Sequence, residues 1–137
     1  MRTCVRLRYC GGMTVELRRR IFRHYAETGS PPELPRAKLE ELATQHAVVL
    51  DAAGHIAFAN PFATGPAALT VTTDERTFSA VCAWDALGIL ALLRADGSAT
   101  DADGLSLEIR DGQLAATSLR FHVLVPAARW YDDLRFT

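Results

Sequence analysis

Apolar residues near the start of the chain recur at a helical spacing. Between Thr14, which suits an N-cap, and about Glu27 they follow a period near 3.6 residues, and arginines fill the opposite side. The turn-forming run 28–32 ends this helix. A second helix is predicted from about Pro35 to His46, and the apolar side chains expected to face inward are Leu39, Leu42 and Ala43.

Strand patterns follow these two helices. Residues 48–50 and 55–59 are short apolar runs, and residues 51–54 form a turn between them. Helix, helix and hairpin in this order are the outline of a reduced winged-helix unit. We therefore expect such a unit to span residues 13–60.

The second half of the chain places strands around one apolar helix. A helix opens at Cys82 and ends near Arg94, Asp96-Gly97-Ser98 is a loop, and Asp111-Gly112 is a strong hairpin signal. Four strands are predicted in this half, at 68–73, 77–81, 105–110 and 118–125. The pattern predicts an α+β fold in which the helical, winged-helix-like unit precedes an antiparallel or mixed sheet, residues 61–137, with a central helix starting at Cys82.

Composition limits the class of protein. The chain has 137 residues and 15.0 kDa, with 49% hydrophobic and 23% charged residues, which is typical of one globular domain with a small annex. No run of about 18 apolar residues occurs, so no membrane span is expected. Residues 1–12 show no clear helical period and Met13 follows Gly11-Gly12. We therefore interpret residues 1–12 as a start-site extension.

Charge and cysteine usage add two expectations. The net charge of −1 conceals a basic head, because residues 1–24 carry seven arginines and one glutamate. Such a head either contacts phosphates or is the solvated side of a helix. Three cysteines, Cys4, Cys10 and Cys82, without an apolar export segment argue against a disulfide framework and favour a reducing, cytoplasmic setting.

The most informative segment is the junction at Cys82. A strand delivers this cysteine to the start of a helix, where unpaired N–H groups and the helix dipole stabilise an anion, so a lowered thiol pKa is predicted. Asp85 follows three residues later on the same face. A partly buried carboxyl beside a thiolate tends to keep its proton. The pair therefore suits a soft metal and a proton transfer.

A purely structural interpretation of the same two residues remains open. Free cysteines are among the most buried residues and usually act as small apolar groups. An aspartate in the first turn of a helix is also a common capping residue. Spacing alone does not decide between these interpretations.

The segment from Ala47 onward resembles the alkylmercury lyase (organomercurial lyase) family. The most specific match is Cys82-Ala83-Trp84-Asp85, a Cys-Ala-x-Asp run that opens an apolar helix. The other matching stretches are Val48-Val49-Leu50-Asp51 with Gly54 and Ile56, Asn60-Pro61-Phe62, Ala86-Leu87 with Ala91-Leu92-Leu93, Val125-Pro126-Ala127, and Trp130 to Thr137. The likeness covers roughly residues 14–137, including the small helical unit.

The resemblance implies protonolysis of a carbon–mercury bond. In that family-based interpretation, Cys82 takes the place of the first mercury-binding thiolate and Asp85 that of the carboxyl that relays a proton to the leaving carbon. Mercury is then a substrate and product on Cys82, and no organic cofactor is needed. The expected ligand is an organomercurial or Hg(II).

The sequence departs from the family pattern at its end. The family has a second active-site cysteine just after the motif matched by residues 132–137, and this chain stops at Thr137. We expect the core to be incomplete there and the two-sulfur capture of Hg(II) to be lost. One hypothesis is a reading frame that continues through a UGA codon for selenocysteine. A frameshift, a pseudogene and a short paralogue are the alternatives, and the nucleotide sequence after codon 137 decides among them.

Two other functions compete with lyase activity. One is a catalytically silent paralogue that binds a soft metal. The other is a winged-helix nucleic-acid-binding regulator, but Glu40 and Glu41 beside Arg36 and Lys38 make the predicted second helix a poor phosphate surface. The four histidines are scattered, and no His/Cys pair has the spacing of a structural zinc site.

Overall fold

A computed structural model describes residues 12–123, 125–130 and 132. Its helices are α1 (Gly12–Thr28), α2 (Arg36–Thr44) and α3 (Ala83–Leu93), and a single 3-10 turn follows at Ala127–Arg129. The strands are β1 (Val49–Leu50), β2 (Ile56–Ala59), β3 (Phe62–Ala63), β4 (Leu69–Thr73), β5 (Thr77–Ala80), β6 (Gly97–Asp101), β7 (Ser106–Arg110) and β8 (Gln113–Leu114). The predictions made for Cys4, Cys10 and residues 133–137 lie outside the described residues.

One antiparallel sheet organises the fold. Its strand order is β1-β2-β3-β5-β4-β6-β7-β8, and each neighbouring pair runs antiparallel. Helix α3 packs against the central strands β4, β5 and β6. The predicted α+β class, with a central helix that follows Cys82, is confirmed. The β1–β2 hairpin also forms as predicted, and it pairs onward with β3, so the same sheet runs across residues 60 and 61.

The core lies between the helices and the sheet. Ile21 and Tyr25 of α1 are fully buried, as the helical period predicts, and Leu39 and Leu42 of α2 join them. The Tyr25 ring stacks on Phe62, with centroids 4.8 Å apart and an angle of 3° between the planes. Because β3 carries Phe62, this aromatic contact fixes α1 against the sheet.

The ends of the helices differ slightly from the predicted ones. Helix α1 begins at Gly12, so Thr14 lies inside the helix and is not its N-cap. A glycine costs a helix only about 1 kcal/mol, which does not stop α1 from extending over Gly12. Helix α2 ends at Thr44 because His46 adopts a left-handed conformation, and the N–H groups of His46 and Ala47 bond back to the last turn in a Schellman motif.

Two hairpins use the same aspartate-capped turn. Oδ1 of Asp51 accepts hydrogen bonds from the N–H groups of Ala53 and His55 at 2.9 Å each. Oδ1 of Asp101 repeats the arrangement fifty residues later in the chain, on Asp103 and Leu105, at 3.0 and 2.8 Å. In both turns the fourth residue is a glycine with positive φ, as an Asp-x-x-Gly sequence favours.

The predicted loop at Asp96-Gly97-Ser98 is wrong. Gly97 and Ser98 begin strand β6, which lies between β4 and β7. Gly97 pairs with Thr73, and a Cβ atom at Gly97 would come within 2.3 Å of the Thr72 carbonyl oxygen. The glycine that suggested a loop therefore permits a close approach of two strands.

The predicted strand at 118–125 does not form over the described residues 118–123. These residues are irregular and mostly exposed, and they pair with no strand. Their alternating pattern is that of a strand, but alternation produces a strand only where a neighbouring strand supplies hydrogen-bond partners. The sheet ends instead at β8, a two-residue strand beyond the Asp111-Gly112 turn.

Candidate functional site

The site begins where β5 passes into α3. Cys82 is the N-cap of α3, with extended backbone angles (φ −150°, ψ 169°), and its side chain folds back over the first turn. The N–H of Asp85 donates to Sγ of Cys82 at 3.5 Å. The thiol in turn donates to Oδ2 of Asp85 at 3.4 Å. The structure therefore brings the two predicted site residues into direct contact.

Burial distinguishes the two partners. Cys82 is half-buried, whereas Asp85 is 8% exposed. Among the described residues, Asp85 is the one buried carboxyl group. A buried carboxyl group is costly unless it is protonated or hydrogen-bonded, and here the Cys82 thiol supplies the hydrogen bond.

Burial raises the pKa of the Asp85 carboxyl, because the charged form loses its hydration; the hydrogen bond from Cys82 offsets part of this effect. This shift has the same direction as the predicted tendency of the carboxyl to hold its proton. A carboxyl group whose pKa is raised is better suited to accept and return a proton than an exposed one.

The predicted lowering of the Cys82 pKa is wrong. Burial is the largest influence and raises the pKa of the thiol, and the negative charge and hydrogen-bond acceptance of Asp85 raise it further. Backbone N–H groups of Asp85 and Trp84 act in the opposite direction, as expected at a helix N-terminus, but they are outweighed. The resting cysteine is therefore mainly a thiol that shares its proton with a carboxylate.

Packing around α3 holds this arrangement in place. Ala86, Ile89 and Leu90 are buried against the sheet and fix the orientation of the helix. Gly88 allows the helix to approach the Asn60–Pro61 segment closely, because a Cβ atom there would lie 3.3 Å from Cβ of Pro61. The thiol and the carboxyl therefore sit on a rigid element.

An exposed aromatic pair adjoins the site, and the contact between its two rings was not predicted from the sequence. The Trp84 side chain is 68% exposed and Phe121 is 55% exposed, yet their rings contact each other with centroids 5.8 Å apart. Trp84 lies between the thiol and the carboxyl in sequence, a position that suggests shielding of the site, with core packing as the commoner role; its exposure excludes core packing. Phe121 lies in the predicted strand that does not form, and no local pattern marked it.

The other residues considered from the sequence lie apart from this site. His24 and His55 make local contacts, with the Ser30 carbonyl oxygen and with Asp51. On α2, Arg36 pairs with Glu40 and Lys38 with Glu41, at 2.9 and 2.8 Å. The two basic side chains that a nucleic-acid surface on α2 would use are therefore already paired with glutamates.

The described residues contain neither a metal-binding cluster nor a membrane-spanning helix. Within the described ranges, no three or more His, Cys, Asp or Glu side chains are grouped so that they could hold a metal ion. No helix in the part of the chain that the structure describes is long and apolar enough to cross a membrane.

Comparison with known proteins places the fold. No model of a known protein family matches the sequence, and no curated protein matches it. The fold is similar to a mercury-bound protein of known structure. That structure is the crystal structure of the mercury-bound form of MerB2, with a TM-score of 0.59 and 22% sequence identity. The match covers 79% of this chain and 61% of the MerB2 chain, so this chain spans about three-fifths of that protein. At this identity the likeness concerns the fold alone.

Proposed function

We propose that this protein is an alkylmercury-lyase-like enzyme that cleaves a carbon–mercury bond by protonolysis. The observation that carries the proposal is the 3.4 Å contact between the half-buried Cys82 thiol and the buried Asp85 carboxyl. A soft sulfur ligand next to a proton-holding carboxyl is the pairing that this reaction requires. The MerB2-like fold and the Cys-Ala-x-Asp run support the same assignment.

The first step is capture of the organomercurial. The substrate R–Hg–X approaches the sulfur of the half-buried Cys82, and an S–Hg bond forms as X leaves with the Hg–X electron pair. The thiol proton moves along the existing hydrogen bond to Oδ2 of Asp85. A thiol that shares its proton with a carboxylate needs no prior ionisation, so the raised pKa of Cys82 does not prevent this step.

The second step is cleavage. Asp85, now protonated, gives its proton to the carbon bound to mercury, and the C–Hg electron pair becomes the C–H bond. The products are the hydrocarbon R–H, Hg(II) on the Cys82 sulfur and the Asp85 carboxylate. No oxidant or reductant takes part. Burial of Asp85 assists because it raises the pKa of the carboxyl and so favours the protonated form that the first step produces.

A second candidate, binding of a soft metal without turnover, has one observation in its favour. Cys82 is the free cysteine among the described residues, so this part of the chain offers one sulfur to the product. A thiophilic ion on one sulfur leaves slowly only if another ligand completes its coordination. The same protein can therefore hold Hg(II) and fail to release it.

Measurement of hydrocarbon release separates these candidates. The parent carries Cys4→Ser and Cys10→Ser, and phenylmercury is supplied with excess small thiol to remove Hg(II). Benzene is then quantified by gas chromatography. We expect catalytic benzene release from the parent, none from Cys82→Ser, and mercury retention without benzene from Asp85→Asn. Mercury bound through Cys82 with no benzene from the parent would favour the binding function.

A further inference from the structure

We infer that Trp84 and Phe121 form the apolar surface that binds the organic group of the substrate, and that this surface gives the protein a preference for aryl over small alkyl mercurials. This inference rests on the proposed function, since it concerns the same sulfur. It starts from the aromatic pair, two side chains that each keep more than half of their surface in solvent while contacting each other.

The aromatic pair is not accounted for by the core. The buried cluster contains neither Trp84 nor Phe121, and both belong to the exposed large apolar side chains. Their rings are 5.8 Å apart and inclined by 52°, a tilted arrangement within the usual range for aromatic contacts. Exposed apolar surface that contacts other exposed apolar surface commonly marks a binding site.

The position of Trp84 connects this surface to the reacting sulfur. Trp84 lies in the first turn of α3, immediately before Asp85, and its backbone N–H is directed at Sγ of Cys82. An organic group carried on a mercury atom at that sulfur must occupy the space above this turn. Asp85 is buried and the indole is exposed, so the aromatic pair supplies accessible apolar surface on the turn that carries the thiol.

The chemistry of the pair selects the kind of group. Two aromatic faces gain from contact with a flat, polarisable ring through stacking or edge-to-face geometry, and a methyl group obtains little of this gain. Nothing charged is needed for such recognition. The expected substrate class is therefore a neutral arylmercury compound.

The test measures binding, so it does not depend on turnover. Phenylmercury and methylmercury are each partitioned between the protein and N-acetylcysteine, which cancels the strength of the Hg–S bond. The parent again carries Cys4→Ser and Cys10→Ser. The readout is the ratio of the phenyl to the methyl partition constant, compared for Trp84→Leu, Trp84→Phe, Phe121→Leu and Leu92→Ala.

We expect the ratio of the phenyl to the methyl partition constant to fall by about two- to tenfold in Trp84→Leu and Phe121→Leu. Trp84→Phe keeps an aromatic ring at this position, so its ratio should stay close to that of the parent. Leu92→Ala is the matched control, because Leu92 is another exposed apolar residue of α3, 48% exposed and near the opposite end. An unchanged ratio in Trp84→Leu and Phe121→Leu overturns the inference, and it is the result expected if the pair instead binds a polypeptide. A parent that binds neither compound better than Cys82→Ser contradicts the proposed function itself.

Discussion

The sulfur of Cys82 both gives a hydrogen bond to Asp85 and receives one from it: the thiol donates to Oδ2 at 3.4 Å and the Asp85 backbone N–H donates to Sγ at 3.5 Å. This reciprocal contact closes the first turn of α3. The bond from the Asp85 N–H is that of a capping box with sulfur in place of a hydroxyl, whereas the Asp85 carboxylate accepts from the thiol and not from the Cys82 backbone N–H. Because one residue supplies both the donor and the acceptor, the reactivity of Cys82 should depend on the Asp85 side chain.

The first prediction concerns the rate at which Cys82 is alkylated. Burial and the Asp85 carboxylate together raise the pKa of the thiol. Asp85→Asn removes the negative charge but keeps the backbone N–H groups that stabilise a thiolate. In a Cys4→Ser, Cys10→Ser background, iodoacetamide should therefore react with Cys82 several times faster in Asp85→Asn at neutral pH.

Asp74→Asn is the control for this experiment, because Asp74 lies in an exposed turn at the other end of β5. Its rate should equal that of the parent. Equal rates in Asp85→Asn and the parent would mean that the carboxyl does not influence the thiol, and the proposed proton exchange would lose its support.

The second prediction concerns stability as a function of pH. Burial raises the pKa of Asp85 in the folded state, so the folded protein binds this proton more tightly than the unfolded chain does. The resulting stabilisation is complete below the unfolded pKa, about 3.9, and is lost as pH rises through the folded pKa. Asp85→Asn should consequently melt several degrees higher than the parent at neutral pH.

The difference in melting temperature should shrink as pH falls, and it should be smallest below the unfolded pKa of about 3.9, where the carboxyl is protonated in both states. Thermal unfolding followed by circular dichroism over this range provides the measurement. A variant that melts below the parent at neutral pH would show that the carboxylate stabilises the fold, and this would contradict its assignment as a buried proton carrier.

Local sequence signals predicted much of the architecture. The helix–helix–hairpin order follows from periodicity and turn residues. The contact between Cys82 and Asp85 follows from their spacing at a helix start. Such properties depend on residues a few positions apart, which is why they can be recognised in a single sequence.

Other properties depend on packing between distant segments, and the predictions made for them from the sequence were wrong or missing. The helix terminus at Cys82 predicted a lowered thiol pKa, but burial by the sheet and the neighbouring carboxylate reverses the shift. Gly97 indicated a loop, although its missing side chain is what lets β4 and β6 pair. The alternation at 118–123 indicated a strand that has no partner. The contact between Trp84 and Phe121 joins residues 37 positions apart and has no local signal.

The third prediction concerns the stability of the β7–β8 hairpin at low pH. The carboxylate of Asp96 accepts hydrogen bonds from the backbone N–H groups of Gly112 and Asp111, at 3.0 and 2.7 Å. These bonds lower the pKa of Asp96. The stabilisation from such a group is present above the unfolded pKa and is lost as pH falls through the folded pKa. Below about pH 4 the β7–β8 hairpin should loosen, with faster amide exchange at Asp111 and Gly112.

Asp96→Asn should produce the same loss at neutral pH, because the amide keeps one acceptor oxygen but not the charge-assisted bonds. Faster exchange should be confined to the hairpin, with the α3 amides unaffected. Asp74→Asn again serves as the control. Unchanged exchange at Asp111 and Gly112 in Asp96→Asn would show that the turn holds without this carboxylate.

The fourth prediction concerns Gly97, whose absent side chain makes room for a neighbouring strand. A Cβ atom there would lie 2.3 Å from the Thr72 carbonyl oxygen and 3.0 Å from Cδ2 of Leu90. The first of these atoms is backbone, so β4 and β6 must separate to admit it, and overpacking of this kind costs about 1–3 kcal/mol. Gly97→Ala should lower the urea midpoint accordingly, whereas Ser98→Ala, a change at the next residue of β6, should alter it little.

The same substitution should affect the site. Since Leu90 belongs to α3, displacement of its side chain should also disturb the helix that carries Cys82 and Asp85, and benzene release should fall together with stability. An alanine variant as stable as the parent would mean that the two strands are not held at this distance.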